Sequence, residues 1–200
     1  MHVVLNALAR RYARAVVLAT FLLSAAMLAG EPEGGVFVPP WPMLVTSFGG
    51  GGAVMGEGLT LGGDVMLGMS IRSDSSGPKL VVQPVAGWSG WRGFDRVDPY
   101  TANAFVGRLD MGVLCQDCAA PMGFAISGAG RIGTARTDGV RSRARGGHAG
   151  VVWWLYHDVF ALELQLHINE IGREWSHDDL RLVTSINLSS LIATVLWGGF

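Results

Sequence analysis

The chain has 200 residues, half of them hydrophobic and 16% charged, with a formal net charge of -1 and a mean hydropathy of +0.35. Soluble domains carry about 25% charged residues, so the deficit favours a lipid or heavily buried setting. A near-neutral chain lacks the basic footprint of a polyanion binder, which argues against nucleic acid as a partner. Glycine, at 29 residues, is about twice as common as usual without the triplet period of collagen; inside strands it suits a tightly curved sheet or a crowded barrel lumen.

Residues 1–30 carry Arg10, Arg11 and Arg14, then an apolar run from Val16, with no acidic residue before Glu31. A basic flank, a short apolar core and small residues at its end predict a secretory signal peptide, and Ser24-Ala25-Ala26 and Met27-Leu28-Ala29 both offer cleavage contexts. The run falls short of the roughly 20 residues that a spanning helix needs. Residues 31–42 contain Pro32, Pro39, Pro40 and Pro42 and read as an exposed lead-in, because proline cannot donate to a sheet ladder. Residues 43–200 then form one domain.

Eight strands are expected in it. The first, 43–50, stops at a run of four glycines. The second, 59–72, puts Leu59, Leu61, Val65, Leu67, Met69 and Ile71 opposite Thr60, Asp64, Ser70 and Arg72, a period of two that no helix shares. The third, 79–90, is interrupted by Pro84; the fourth, 101–114, sets Phe105, Leu109, Met111 and Val113 against Arg108 and Asp110. The fifth, 122–133, is rich in Gly and Ala, and a long connection is expected over 134–147. The sixth covers 148–156. The seventh, 160–175, is the most regular: Leu162, Leu164, Leu166 and Ile168 alternate with Glu163, Gln165, His167 and Asn169. The eighth is expected to run over 180–200, and no helical pattern competes with it.

Strands of about 9–11 residues cross a bilayer, and a closed antiparallel barrel is the way for strands to do so with every backbone group paired. Eight staves leave an interior filled by side chains. The exported N-terminus, the eight amphipathic segments and the ending Trp197-Gly198-Gly199-Phe200 resemble the small outer-membrane β-barrel proteins of bacteria. That resemblance implies an all-β, up-and-down barrel in the bacterial outer membrane, monomeric, without cofactor, in contact with outer-membrane lipid. It also makes Phe200, with Leu196, Ile192 and Leu188 at alternate positions of one register, the feature recognised by the barrel-insertion machinery; Ser190, Thr194 and Gly198 depart from that pattern. The rival reading is a soluble, exported lipocalin-like barrel with its apolar register turned inward around a ligand. A barrel with lipid outside and small or polar residues inside accounts better for the hydropathy and the low charge.

Asp64, Arg108, Asp110, Glu163, His167 and Arg181 fall on the polar registers and would form a paired interior network, since buried charge is tolerated only when neutralised. Cys115 and Cys118 are expected to form a disulfide across a turn, as exported proteins favour; no second ligand pair supports zinc. Arg136, Arg141, Arg143 and Arg145 make the 134–147 connection basic. A solvated loop is the plain reading of such a run, and lipopolysaccharide phosphates at the outer leaflet are the sharper one. His167-Ile168-Asn169 resembles part of the His-x-Ser-Asn motif of lipid A deacylases, but Asn169 stands where that motif needs its serine, and no residue is assigned a catalytic or metal-binding role. The tryptophans and Tyr156 lie near strand ends, where interfacial girdles form. The expected role is structural or one of envelope interaction, not catalysis.

Overall fold

The computed structural model describes residues 37–53, 58–73, 77–94, 99–115, 122–156, 158–172 and 175–197. The expected signal peptide, Cys118 and Phe200 lie outside the described residues. Eight antiparallel strands follow in chain order: β1 (Phe37–Ala53), β2 (Leu59–Ser73), β3 (Lys79–Phe94), β4 (Tyr100–Cys115), β5 (Met122–Thr137), β6 (Val140–Leu155), β7 (Phe160–Ile171) and β8 (Trp175–Asn187). Each pairs with its sequence neighbour, and β1 pairs with β8 from Val45↔Asn187 to Ala53↔Asp179, which closes the sheet into a barrel.

Closure needs the two faces of every stave to differ, and the period-two patterns supply that. On β7, Glu163, Gln165 and His167 are buried in the lumen, while Leu164, Leu166 and Ile168 are exposed on the outside. β2 repeats the arrangement with Thr60, Asp64, Met66 and Ser70 inside and Leu59, Leu61, Val65, Leu67 and Met69 outside. Glycines on the inner register let staves approach closely: a Cβ on Gly112 would lie 2.0 Å from the carbonyl oxygen of Phe124 on β5.

Three segments differ from the sequence expectations. β1 begins at Phe37, so the prolines at 39, 40 and 42 lie inside a strand; the register shifts between Val38 and Trp41, a bulge of the kind that accommodates proline, and β8 pairs only from Val45 upward. The connection expected over 134–147 is a hairpin instead. Asp138 and Gly139, at φ 49° and 81°, make its two-residue turn, the Asp-Gly turn whose twist suits antiparallel strands. Arg136, Arg141, Arg143 and Arg145 therefore sit on strands, not on a loop.

The last correction concerns 188–200. β8 stops at Asn187 and the chain turns into a helix, α1 (Leu188–Trp197). Leu188, Leu191, Ile192, Val195 and Leu196 fall at helical spacing, and Ser190 and Thr194, the misfits of a strand register, lie on the opposite stripe with buried Ala193. Asn187 caps the helix: its side-chain oxygen accepts the Ser190 N–H at 3.2 Å. Ser190 Oγ donates to Asp158 in the β6–β7 turn at 2.9 Å, and the Leu44 N–H of β1 donates to Ser189 Oγ at 3.0 Å. The helix thus satisfies β1 where β8 no longer reaches.

Asn187→Ala removes the cap and one link to this seat, at a cost of about 1 kcal/mol. Hydrogen exchange followed by mass spectrometry is expected to speed up over 188–197, with β2 to β7 keeping their protection.

Candidate functional site

Apolar layers bracket the lumen. Met43, Val45, Met66, Val85 and Val106 form one cluster, Val81, Leu114, Ala125, Val152 and Trp154 a second, and Tyr100, Ala135 and Ile171 a third at the far mouth. Among them lies a polar section to which every strand contributes, with its titratable side chains on β2 and β4 to β8.

Arg131 of β5 is its hub. Its guanidinium reaches Asp64 of β2 at 3.7 Å, His167 Nδ1 at 2.9 Å and His148 Nδ1 at 3.4 Å. A guanidinium only donates, so Nδ1 of both histidines must accept and the ring proton sits on Nε2. His167 Nε2–H then donates to Gln165 Oε1 at 2.7 Å, and Gln165 Nε2 donates to Glu163 at 2.5 Å. Glu163 also accepts from Ser185 Oγ and faces Arg108 Nη1 at 2.8 Å. Arg108 closes a bidentate fork on Asp110, with contacts of 2.8 and 2.5 Å. One chain of charge and hydrogen bonds therefore runs from Asp110 to Asp64, where Trp91 Nε1 and Ser47 Oγ donate at 3.1 and 3.3 Å.

A shorter branch stands beside it. Arg181 of β8 donates to Asp179 at 2.5 Å, Asn169 donates to the other oxygen of that carboxylate at 3.3 Å, and the Arg181 guanidinium lies 3.9 Å above the Trp91 ring, a cation–π contact in a site sealed from water. At the helix-bearing end, Asp158 accepts from Arg72 at 2.8 Å, from Gln83 at 3.0 Å and from Ser190. Burial pushes the Asp158 carboxyl above its ordinary 3.8, against the pull of Arg72.

The structure brings all six sequence-selected interior charges, Asp64, Arg108, Asp110, Glu163, His167 and Arg181, into this lumen, each less than a tenth exposed. It joins five of them in the main chain of contacts and sets Arg181 in the branch. Arg131, His148 and Asp179 complete the network and were not selected. Arg131 carried a signal: Ala125, Ser127, Ala129 and Arg131 alternate with Phe124, Ile126 and Ile132, but Gly128 and Gly130 blur the outer register. Asp179 falls in what looks like a turn. Of the tryptophans, Trp91 and Trp154 point inward, and Trp88 and Trp153 outward, so those four do not form a girdle. Cys115 ends β4, and its expected partner Cys118 lies outside the described residues.

What the arrangement can do is set by its proton positions and its size. Ser127 Oγ lies 3.5 Å from His148 Nε2, the nitrogen that already carries the proton, so this pair lacks the bare nitrogen a serine nucleophile needs. Two voids of about 30 and 20 Å³ border the network, each enough for little more than a water. Among the described residues, no group of three or more His, Cys, Asp or Glu could hold a metal ion. No protein-family model matches the chain, and no curated protein is significantly similar to it.

Breaking a buried ion pair leaves its partner uncompensated, at a cost of about 3–5 kcal/mol. Glu163→Ala is expected to lose that much in urea unfolding, whereas Arg145→Ala, at the exposed pair with Glu170, changes stability by less than about 1 kcal/mol.

The raised Asp158 carboxyl gives a pH dependence of known sign. The folded chain binds that proton more tightly than the unfolded chain, so Asp158 subtracts stability as pH rises from its ordinary value through the raised one. Asp158→Asn is expected to flatten the fall of the urea midpoint with rising pH over that interval; an unchanged slope would contradict the assignment.

Proposed function

We propose that this chain is a bacterial outer-membrane protein that crosses the bilayer as an eight-stranded barrel and has a structural or envelope-interaction role without catalysis. The observation that carries the reading is the inversion of its faces. Large apolar side chains stand outward on all eight strands, Leu67 at 65% and Ile126 at 68% exposure among them, while Asp64, Arg108, Asp110, Arg131, Glu163, Asp179 and Arg181 are buried inside. A monomeric soluble protein rarely leaves a contiguous apolar patch of more than a few hundred Å² in water. A hydrocarbon surround makes the same surface favourable, and closure leaves no strand edge to satisfy. The strands, of 12 to 17 residues, exceed the length needed to cross.

A soluble lipocalin-like barrel has the opposite requirement, an apolar hollow. Here the middle of the lumen holds Arg108, Arg131 and Arg181 with Asp64, Asp110, Glu163 and Asp179, and the voids of about 30 and 20 Å³ beside them are too small for an apolar ligand. The exposed stripe of Ile192, Val195 and Leu196 on α1 suits the boundary between headgroups and acyl chains at the end where β1 begins. The proposed partners are accordingly the lipid itself and, during biogenesis, the barrel-insertion machinery, with the protein monomeric.

Cell fractionation tests this. The native chain is expected to be released by detergent and not by osmotic shock, and to migrate differently on gels before and after boiling; release of folded protein by osmotic shock would end the proposal. In addition, Leu164→Arg puts a cation on the outer face and is expected to cost about 2–4 kcal/mol in vesicles.

A further inference from the structure

The barrel registers align the outward side chains of neighbouring strands into rows. One row runs Arg92 (β3), Thr101 (β4), Arg136 (β5) and Arg141 (β6), through the pairs Arg92↔Thr101, Thr101↔Arg136 and Arg136↔Arg141. The next row toward the barrel middle runs Gly90, Asn103, Thr134 and Arg143. The row after that is Trp88, Phe105 and Ile132, exposed by 59, 55 and 77%, ending on Arg145. The outer face of β3 to β6 therefore changes within one row from bare apolar surface to guanidinium, hydroxyl and amide groups.

The four guanidiniums of the two polar rows are poorly neutralised. Arg145 has Glu170 at 2.6 Å, but among the described residues Arg92, Arg136, Arg141 and Arg143 have no carboxylate within ion-pair distance. Arg92 lies 5.0 Å over the Phe94 ring and Arg136 Nε donates to the Gly139 carbonyl at 3.2 Å, which leaves most of their N–H donors facing outward. Asp138 in the turn, and Asp95 and Asp98 outside the described residues, are the nearest carboxylates in sequence. Arg136 and Arg141 stand directly opposite each other across the hairpin, where like charges repel. An anion bridging them would turn that repulsion into attraction.

We propose that Arg92, Arg136, Arg141 and Arg143, with Thr101, Asn103 and Thr134 between them, form a strip that binds the phosphate groups of outer-leaflet lipids. The proposal rests on the membrane reading above. Guanidinium forks match phosphate oxygens bidentately, and the strip begins where the apolar surface ends, which is where a lipid with its acyl chains against Trp88, Phe105 and Ile132 carries its headgroup. Continuity with that surface is what selects a lipid phosphate over a free one. The strip also lies at the end of the barrel opposite the start of β1 and α1, the end that an exported barrel of this topology turns outward.

The test uses the full chain and a variant carrying R92Q, R136Q, R141Q and R143Q, each first reconstituted into phosphatidylcholine vesicles and then examined by native mass spectrometry with bisphosphorylated lipid A or its dephosphorylated form. The wild-type chain is expected to retain the bisphosphorylated lipid roughly tenfold or more over the variant, since each basic group near an anionic surface is worth about 1 kcal/mol. Removing the phosphates from the lipid should abolish the difference, and millimolar inorganic phosphate should not displace the lipid. Equal retention by the two proteins, equal retention of the two lipids, or displacement by inorganic phosphate overturns the strip while leaving the membrane reading intact. A wild-type chain that never enters the vesicles overturns both.

Discussion

Pairing of the first strand with the last is the constraint from which the other features follow. The contact from Val45↔Asn187 to Ala53↔Asp179 converts a meander with two open edges into a ring in which each stave is bonded on both sides. With only eight staves the ring is too narrow for a channel, so whatever points inward must pack and, if polar, must find a partner there. Whatever points outward lies on the outer surface of the barrel.

That geometry explains why the lumen is a network and not a set of separate pairs. Arg131 can serve Asp64, His148 and His167 together because three strands converge on it. The two histidines take part as acceptors, and Gln165 then relays the direction of the hydrogen bonds to Glu163 and on to Arg108 and Asp110. Such a core gives up the stabilisation of an apolar filling. It gains a unique register, because a shift of one residue in β2 or β8 would bury leucines inside and expose an aspartate outside.

Much of this was legible in the residues alone, wherever alternation was unbroken. β2 and β7 declare both of their faces, and the six interior charges selected from such patterns all reach the lumen. The signal failed where a competing feature masked it. Glycines at 128 and 130 hid the outer register of β5, and with it Arg131, the hub. Four arginines between 136 and 145 resembled a solvated loop, although Asp138-Gly139 is turn chemistry of the tightest kind. In 188–197, every-other-residue matching picked out Leu188, Ile192 and Leu196, which share a helical face as readily as a strand face; Ser190 and Thr194, which spoiled the strand, were the evidence for a helix. Cross-strand rows are not readable from sequence at all, since Arg92 joins Arg136 and Arg141 only through pairings between separate hairpins.

The central claim is that the outer face of the staves meets hydrocarbon. Nitroxide labels placed singly at positions 162, 164, 166 and 168 in the vesicle-reconstituted chain test it most directly, through their collision rates with oxygen and with a water-soluble nickel complex. The account predicts high oxygen and low nickel accessibility at 164 and 166, the central positions of the four. Ready access of nickel to those labels would place this surface in water and contradict the account.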